Sequence, residues 1–222
     1  ESLSREEIEK LVTDTKHLQE YQEEPSSQED LEKIPMLTRA DISREIAPIY
    51  NEEMKIADIP TVFHEIETNG IGYLDLMFDL SDVPEKNLPM VGLLQAVLGI
   101  IDTEHYEYGE LFNEINRHTG GIGTSLELYP DVTKVKEKEF KATFEIKGKA
   151  LYGQIPFAIR MMKEILTASK LDDEKRLKEI LSMTKTRLQD RFLSAGHSAA
   201  ALRAMSYKSP ISKFKDTTNG IG

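Results

Sequence analysis

Chemistry in this chain has to be carried by histidines, carboxylates or glycine-framed loops, because it holds 5 histidines, 39 acidic residues and no cysteine. Without cysteine, disulfides, thiolate zinc sites, iron–sulfur clusters and thiol nucleophiles are excluded. The histidines are His17, His64, His105, His118 and His197. None has a second His three to five residues away, the spacing that lets two imidazoles share one metal ion. His64 and Glu65 are neighbours on a predicted strand, so they point to opposite faces and cannot chelate together. His105 lies among Glu104 and Glu107, where an acid/base pair is conceivable but no spacing favours one. Gly70-Ile71-Gly72 and Gly120-Gly121-Ile122-Gly123 are short glycine clusters. Neither opens a helix whose N–H groups could face a phosphate. Phosphate-loop, nucleophile-elbow and dinucleotide-binding motifs are absent. Asp172-Asp173 reads as the cap of the helix that follows.

The elements that position these residues follow from hydropathy period. Ser4 and Glu7 make a capping box for a helix over residues 4–23, in which Ile8, Leu11, Val12, Thr15 and Leu18 recur at helical spacing. Glu24-Pro25-Ser26-Ser27 breaks it, and Ser26 or Ser27 caps a short second helix that ends before Pro35. From Ile49 the pattern changes. Val62, His64 and Ile66 alternate with Phe63, Glu65 and Glu67, Asn69-Gly70 is a tight-turn signal, and Leu74, Leu76, Phe78 and Leu80 alternate again. This predicts a β-hairpin with one buried face. The spacing then predicts a buried helix from about Leu88 to Ile101, with Pro89 in its first turn. A second helix runs from about Tyr106 to Arg117, with Leu111, Phe112 and Ile115 on one side. Ile122–Tyr129 and Phe140–Lys147 alternate as a second antiparallel pair with one wet face. Residues 154–169, 172–193 and 198–207 are predicted helices. This order predicts an α+β fold, helices gathered on one face of a largely antiparallel sheet.

The chain has 222 residues and a net charge of −11, so it can bury a core without staples. The acid excess is local: residues 1–60 carry 16 acids and 7 bases, residues 61–222 carry 23 and 21. An acidic balance argues against a nucleic-acid groove, which needs clustered Lys and Arg. No apolar run reaches membrane-spanning length. The chain starts with Glu1 and stops at Asn219-Gly220-Ile221-Gly222. It is expected to be a segment of a longer polypeptide, with residues 1–45 a helical-hairpin linker and residues 46–222 one domain.

The stretch Leu3-Ser4-Arg5-Glu6-Glu7-Ile8-Glu9-Lys10-Leu11, followed by Tyr21-Gln22-Glu23, Ile34-Pro35-Met36-Leu37 and Asp41-Ile42, resembles the linker of presequence-protease-type zinc metallopeptidases. These form one branch of the insulinase/pitrilysin family. The resemblance continues through Thr119-Gly120-Gly121-Ile122 and Gly196-His197-Ser198-Ala199 and covers essentially the whole chain. It implies a LuxS/mitochondrial-processing-peptidase-like sheet and two homologous halves closing around a chamber. In the first half, an H-x-x-E-H helix binds zinc through two histidines that share a helix face. This chain is similar to the linker plus the first domain of the second half.

Carried over residue by residue, the motif falls on Gly92-Leu93-Leu94-Gln95-Ala96. Gly92 and Ala96 offer no donor atom, and Gln95 cannot accept a proton as a carboxylate does. The resemblance therefore implies a domain with no catalytic, cofactor-binding or metal residues of its own, the zinc belonging to the N-terminal half of the parent. The implied role is to wall the chamber and position an unstructured peptide opposite the zinc half. Implied partners are the catalytic half, the final domain and the peptide, with no nucleic acid and no membrane. The implied compartment is the cytoplasm, or the mitochondrial matrix in a eukaryote. Two rival readings stand beside it: a structural or assembly subunit of the same fold, which the hairpin linker disfavours, and an independent enzyme around His105 and Glu107.

Overall fold

A computed structural model describes residues 4–45, 48, 50–134 and 139–220. Ile46, the first residue of the expected domain, and Ile49, where the sequence pattern changes, lie outside the described residues. In chain order the elements are α1 (Arg5–Glu23), α2 (Gln28–Glu32), β1 (Asn51–Ile56), β2 (Ile59–His64), β3 (Ile71–Asp79), α3 (Leu88–Val97), α4 (Tyr108–His118), β4 (Ile122–Pro130), β5 (Phe140–Leu151), α5 (Ile155–Thr167), α6 (Glu174–Ser206) and α7 (Pro210–Asn219). The chain divides into two compact units, Glu1–Glu65 and Ile66–Gly222.

Local signals build the first unit. Ser4 N donates to Glu7 Oε2 at 2.7 Å and Glu7 N donates to Ser4 Oγ at 3.3 Å, the reciprocal box that starts α1. Ser27 caps α2 by accepting from Asp30 N at 3.1 Å. The apolar stripe Ile8, Leu11, Val12 and Leu18 stays 49–64% exposed. β1 and β2 pair antiparallel with Ile56 opposite Ile59. The connecting Ala57 and Asp58 have φ of 48° and 66°, the left-handed pair a two-residue hairpin needs, here made without glycine. This corrects the predicted hairpin, because β2 pairs with β1 and not with β3. Asn69-Gly70 does turn, with φ of 52° and 80° and Ile71 N donating to Thr68 O at 3.2 Å. It leads from a loop into β3.

The second unit is a three-stranded antiparallel sheet in the order β3-β5-β4. Its even-numbered β5 residues face helices. Ile146 is packed among Leu111 and Ile115 of α4 and Met161, Met162 and Ile165 of α5. Thr124 of β4 stands opposite Ile146, hence on the same face, and its hydroxyl donates to the Gln95 carbonyl of α3 at 3.1 Å. The α+β layer is therefore as the sequence predicts. A second cluster joins Val97 and Ile101 to Ile180 of α6. α7 docks beside α6 through Arg203 Nη1 and the buried Asp216 Oδ2, 2.6 Å apart.

Five local expectations change. α3 ends at Val97 rather than Ile101, because Leu98 is extended and Gly99 takes φ of 86°. Only its Gly92 and Val97 are buried; Met90 is 63% exposed. Phe112 points away from the Leu111–Ile115 core face and is 62% exposed. The last two predicted helices are one, α6, kinked where Ala195 leaves helical geometry at φ −135°, ψ 37°. Strand β3 is an edge, and its Leu76 and Phe78 are 42% and 46% exposed rather than buried.

Candidate functional site

Two places in the second unit bear on function: the α3 positions on which the zinc motif would fall, and the polar face of the sheet. On α3, the decisive position is Gly92. A Cβ there would collide with the Thr218 carbonyl oxygen and lie 3.0 Å from its carbon. Side chains do not fit at that approach, because the obstacle is the backbone of α7 and not a movable side-chain end. Gln95 is held against β4: its Nε2 donates weakly to Thr124 O at 3.5 Å, and its backbone carbonyl accepts from the Thr124 hydroxyl. Its Oε1 is buried with no hydrogen-bond partner among the described residues. Ala96 is half-buried beside it. These three residues do not fit a zinc ion: one has no room for a ligand, one offers a neutral amide already turned to the sheet, and one ends at a methyl group.

The sheet's other face holds the feature that residue types alone concealed. Thr143, Glu145 and Lys147 alternate as a wet face would, yet Thr143 is 1% exposed and Glu145 is 0%. β5 is the central strand, so neighbours from both sides close over it. Tyr129 Oη donates to Glu145 Oε1 at 2.7 Å, and Thr143 Oγ1 donates to the same oxygen at 2.5 Å. Lys147 Nζ lies 2.7 Å from Glu145 Oε2, an ion pair. The same ammonium reaches Glu127 at 3.1 Å and Asp75 at 3.7 Å. One lysine thus ties carboxylates from all three strands.

Electrostatics follow that geometry. Burial opposes ionisation of Glu145, but Lys147 and the Thr143 and Tyr129 hydroxyls outweigh it and hold the carboxyl below its usual 4.5. Asp75 goes the other way, raised by its own burial and by the Glu145 charge. Tyr129, donating to a carboxylate, is pushed up to about 12. Lys147 is raised, chiefly by Glu145. Glu145 and Lys147 each hold the other in its charged form. A stronger sequence signal existed: Asp75 and Asp79 of β3 fall opposite Lys147 and Thr143 once β5 is placed between β3 and β4.

The histidines are dispersed. His105 pairs with Glu164 and not Glu107, Nδ1 to Oε2 at 3.0 Å. Burial opposes ionisation of Glu164, but Thr103 and His105 together lower it. His118 lies 3.6 Å from Glu114, its ring 4.8 Å from that of Phe157. His17 and His197 sit on α1 and α6, and His64 ends β2 opposite Asn51. Among the described residues no three His, Asp or Glu side chains gather as ion ligands. No described helix is long and apolar enough to cross a membrane.

Two N-terminal helices are followed by a short hairpin and by a three-stranded antiparallel sheet backed by helices. The family profile for the region associated with peptidases of family M16, subfamily C, matches residues 1–222, and the chain belongs to that family. Protein HypA of Clostridium perfringens is 35% identical over 214 residues, 96% of this chain and 22% of that protein. Presequence protease 1, chloroplastic/mitochondrial, of Arabidopsis thaliana is 28% identical over 203 residues, 91% of this chain and 18% of that protein. The mitochondrial presequence protease of Yarrowia lipolytica is 27% identical over 205 residues, 92% of this chain and 20% of that protein. The chain spans about a fifth of the length of these curated relatives. It is a presequence-protease-like segment.

Proposed function

We propose that this chain is the non-catalytic domain of a zinc-dependent metalloendopeptidase that degrades unstructured peptides. It walls the substrate chamber and positions peptide opposite the zinc half, without binding zinc itself. Its partners are the catalytic half and the final domain of the same polypeptide, in the cytoplasm or the mitochondrial matrix. The observation that carries this reading is the close approach of Gly92 to Thr218: at the residue on which the first motif histidine would fall, the α7 backbone leaves no room for a side chain. Fold and catalysis are separable, so a peptidase architecture survives the loss of its metal positions. Supporting the peptide-facing role, the polar sheet face presents Tyr73, Met77 and Tyr129 at 66%, 52% and 43% exposure, rigid apolar surface among charges.

The test joins two measurements on the 222-residue chain. Zinc at 100-fold over a specific Kd would add about 2.7 kcal/mol and raise Tm visibly; no rise is expected. A photoreactive unstructured peptide is expected to crosslink to the β3–β5–β4 face without being cleaved. A zinc-dependent Tm rise with peptide cleavage would overturn the non-catalytic assignment. Absence of any crosslink, with zinc inert, would favour a purely structural subunit.

A further inference from the structure

An open pocket of about 370 Å³ lies at one end of the sheet, within the size range of small-ligand sites. Arg117, His118 and Lys149 line it together with apolar Ile71, Ala150 and Leu151. Its charge is unusual for a chain of net −11. Arg117 and His118 share one carboxylate, Glu114, at 2.8 and 3.6 Å. Lys149 has no carboxylate partner among the described residues. The pocket therefore keeps a surplus positive charge.

Lys149 is also placed. Gly120 N donates to Lys149 O at 2.7 Å, and Lys149 N donates to Gly121 O at 3.3 Å, pinning the glycine loop to β5. A Cβ at Gly120 would meet Lys149 Cγ at 2.7 Å and Cε at 2.8 Å, so the lysine stem lies flat across the bare glycine. A stem already seated on protein loses less freedom when its ammonium takes a ligand. Beside it, Leu151 remains 62% exposed, an apolar wall with nothing over it among the described residues.

We propose that this pocket binds an organic carboxylate, Lys149 and Arg117 taking the charge and Ile71 and Leu151 taking the apolar part. One surplus charge matches one carboxylate, and the apolar wall rewards a hydrocarbon substituent that inorganic phosphate lacks. The carboxylate can come from a peptide C-terminus or from an acidic side chain. The peptide source rests on the function proposed above; the pocket itself does not.

The experiment follows the Gly120 and Gly121 amide resonances of the full 222-residue chain. Probes are N-acetyl-leucine, its amide, inorganic phosphate, and three decapeptides: free terminus, amidated terminus, and amidated terminus with an internal Asp. N-acetyl-leucine is expected to shift both amides saturably and its amide analogue not to. Lys149→Met should weaken binding about tenfold, the share of one charge-assisted hydrogen bond. Gly120→Ala keeps the charge but displaces the stem, and should weaken binding too. Lys141→Met, a charge loss elsewhere on β5, should leave it unchanged. Preference between the free-terminus and Asp decapeptides identifies the source. The proposal is overturned if the amide binds as well as the acid, if phosphate alone binds more tightly, if no probe shifts the two glycines, or if Lys149→Met has no effect. Peptides that bind without shifting these glycines, with N-acetyl-leucine silent too, overturn the pocket and leave the peptide-facing role intact. Binding of N-acetyl-leucine with no peptide binding keeps the pocket and refutes that role.

Discussion

Gly92→Ala is the smallest change that probes the α3–α7 contact. In an unobstructed helix, alanine in place of glycine stabilises by about 1 kcal/mol. Here the added carbon would collide with the Thr218 carbonyl oxygen, well inside contact distance, with the carbonyl carbon only 3.0 Å away. Relief requires α7 to move away as a unit, since the obstacle is main chain. Overpacking of this kind costs about 1–3 kcal/mol, and a backbone clash belongs at the upper end. Subtracting the propensity gain leaves a net loss of about 2 kcal/mol, or a Tm fall of about 4–8 °C for a chain this size. Gly109→Ala in α4 is the matched control, because a Cβ there meets nothing within 4 Å. It should raise stability by about 0.5–1 kcal/mol. Urea denaturation followed by circular dichroism measures both. A Gly92→Ala chain as stable as Gly109→Ala would mean that α7 does not press on α3 and that position 92 has room for a side chain.

Three further outcomes follow from the buried polar groups. Gln95→Met removes an unsatisfied amide oxygen and should be neutral or mildly stabilising, whereas Gln95→Glu buries a carboxylate beside the Thr124 carbonyl and should cost at least about 2 kcal/mol at pH 7; equal stability of the two, read by urea titration, would contradict the burial. Lys147→Met leaves Glu145 without its cation and should destabilise by about 3 kcal/mol at pH 7.5, with partial recovery on acidification as Glu145 takes up a proton; a pH-independent loss would show that the pair is not what stabilises the strand. In the unaltered chain Glu145 and Glu164 both ionise below their usual 4.5. Their contribution is complete above that value and is lost as pH falls through the lower folded values. Tm should therefore hold above about pH 5 and decline below it, and a Tm that rises on acidification would refute the sign.

What the residues announce, and what they hide, divides by distance along the chain. The Ser4–Glu7 box and the Ser27 cap are contained within four residues, so they are legible. Asn69-Gly70 also turns as its type demands. A hairpin built around it misplaces the pairing because strand partners are not local: β2 turns back on β1 through Ala57-Asp58, which lacks the glycine such turns favour. β3 reaches past two helices to β5. Glu145 is hidden for the same reason. Period-2 alternation says which residues share a face but not whether a strand is central, and only the central position buries a carboxylate there. Gly92 is legible as a position without a donor atom, yet what keeps it bare lies in Thr218, on a helix no pattern joins to α3.

The uncovered rim at β3 has a practical consequence. Tyr73, Leu76, Met77 and Phe78 stand on a nine-residue strand whose outer side is unpaired among the described residues, with Asp75 and Asp79 as its charged interruptions. Such a strand invites a second copy to zip onto it. When produced alone, the segment should self-associate more as concentration rises and more readily in mild acid, where Asp75, raised by its burial and by Glu145, gives up its charge first, while Asp79, held down to about 2 by the Ser81 hydrogen bonds, keeps its own.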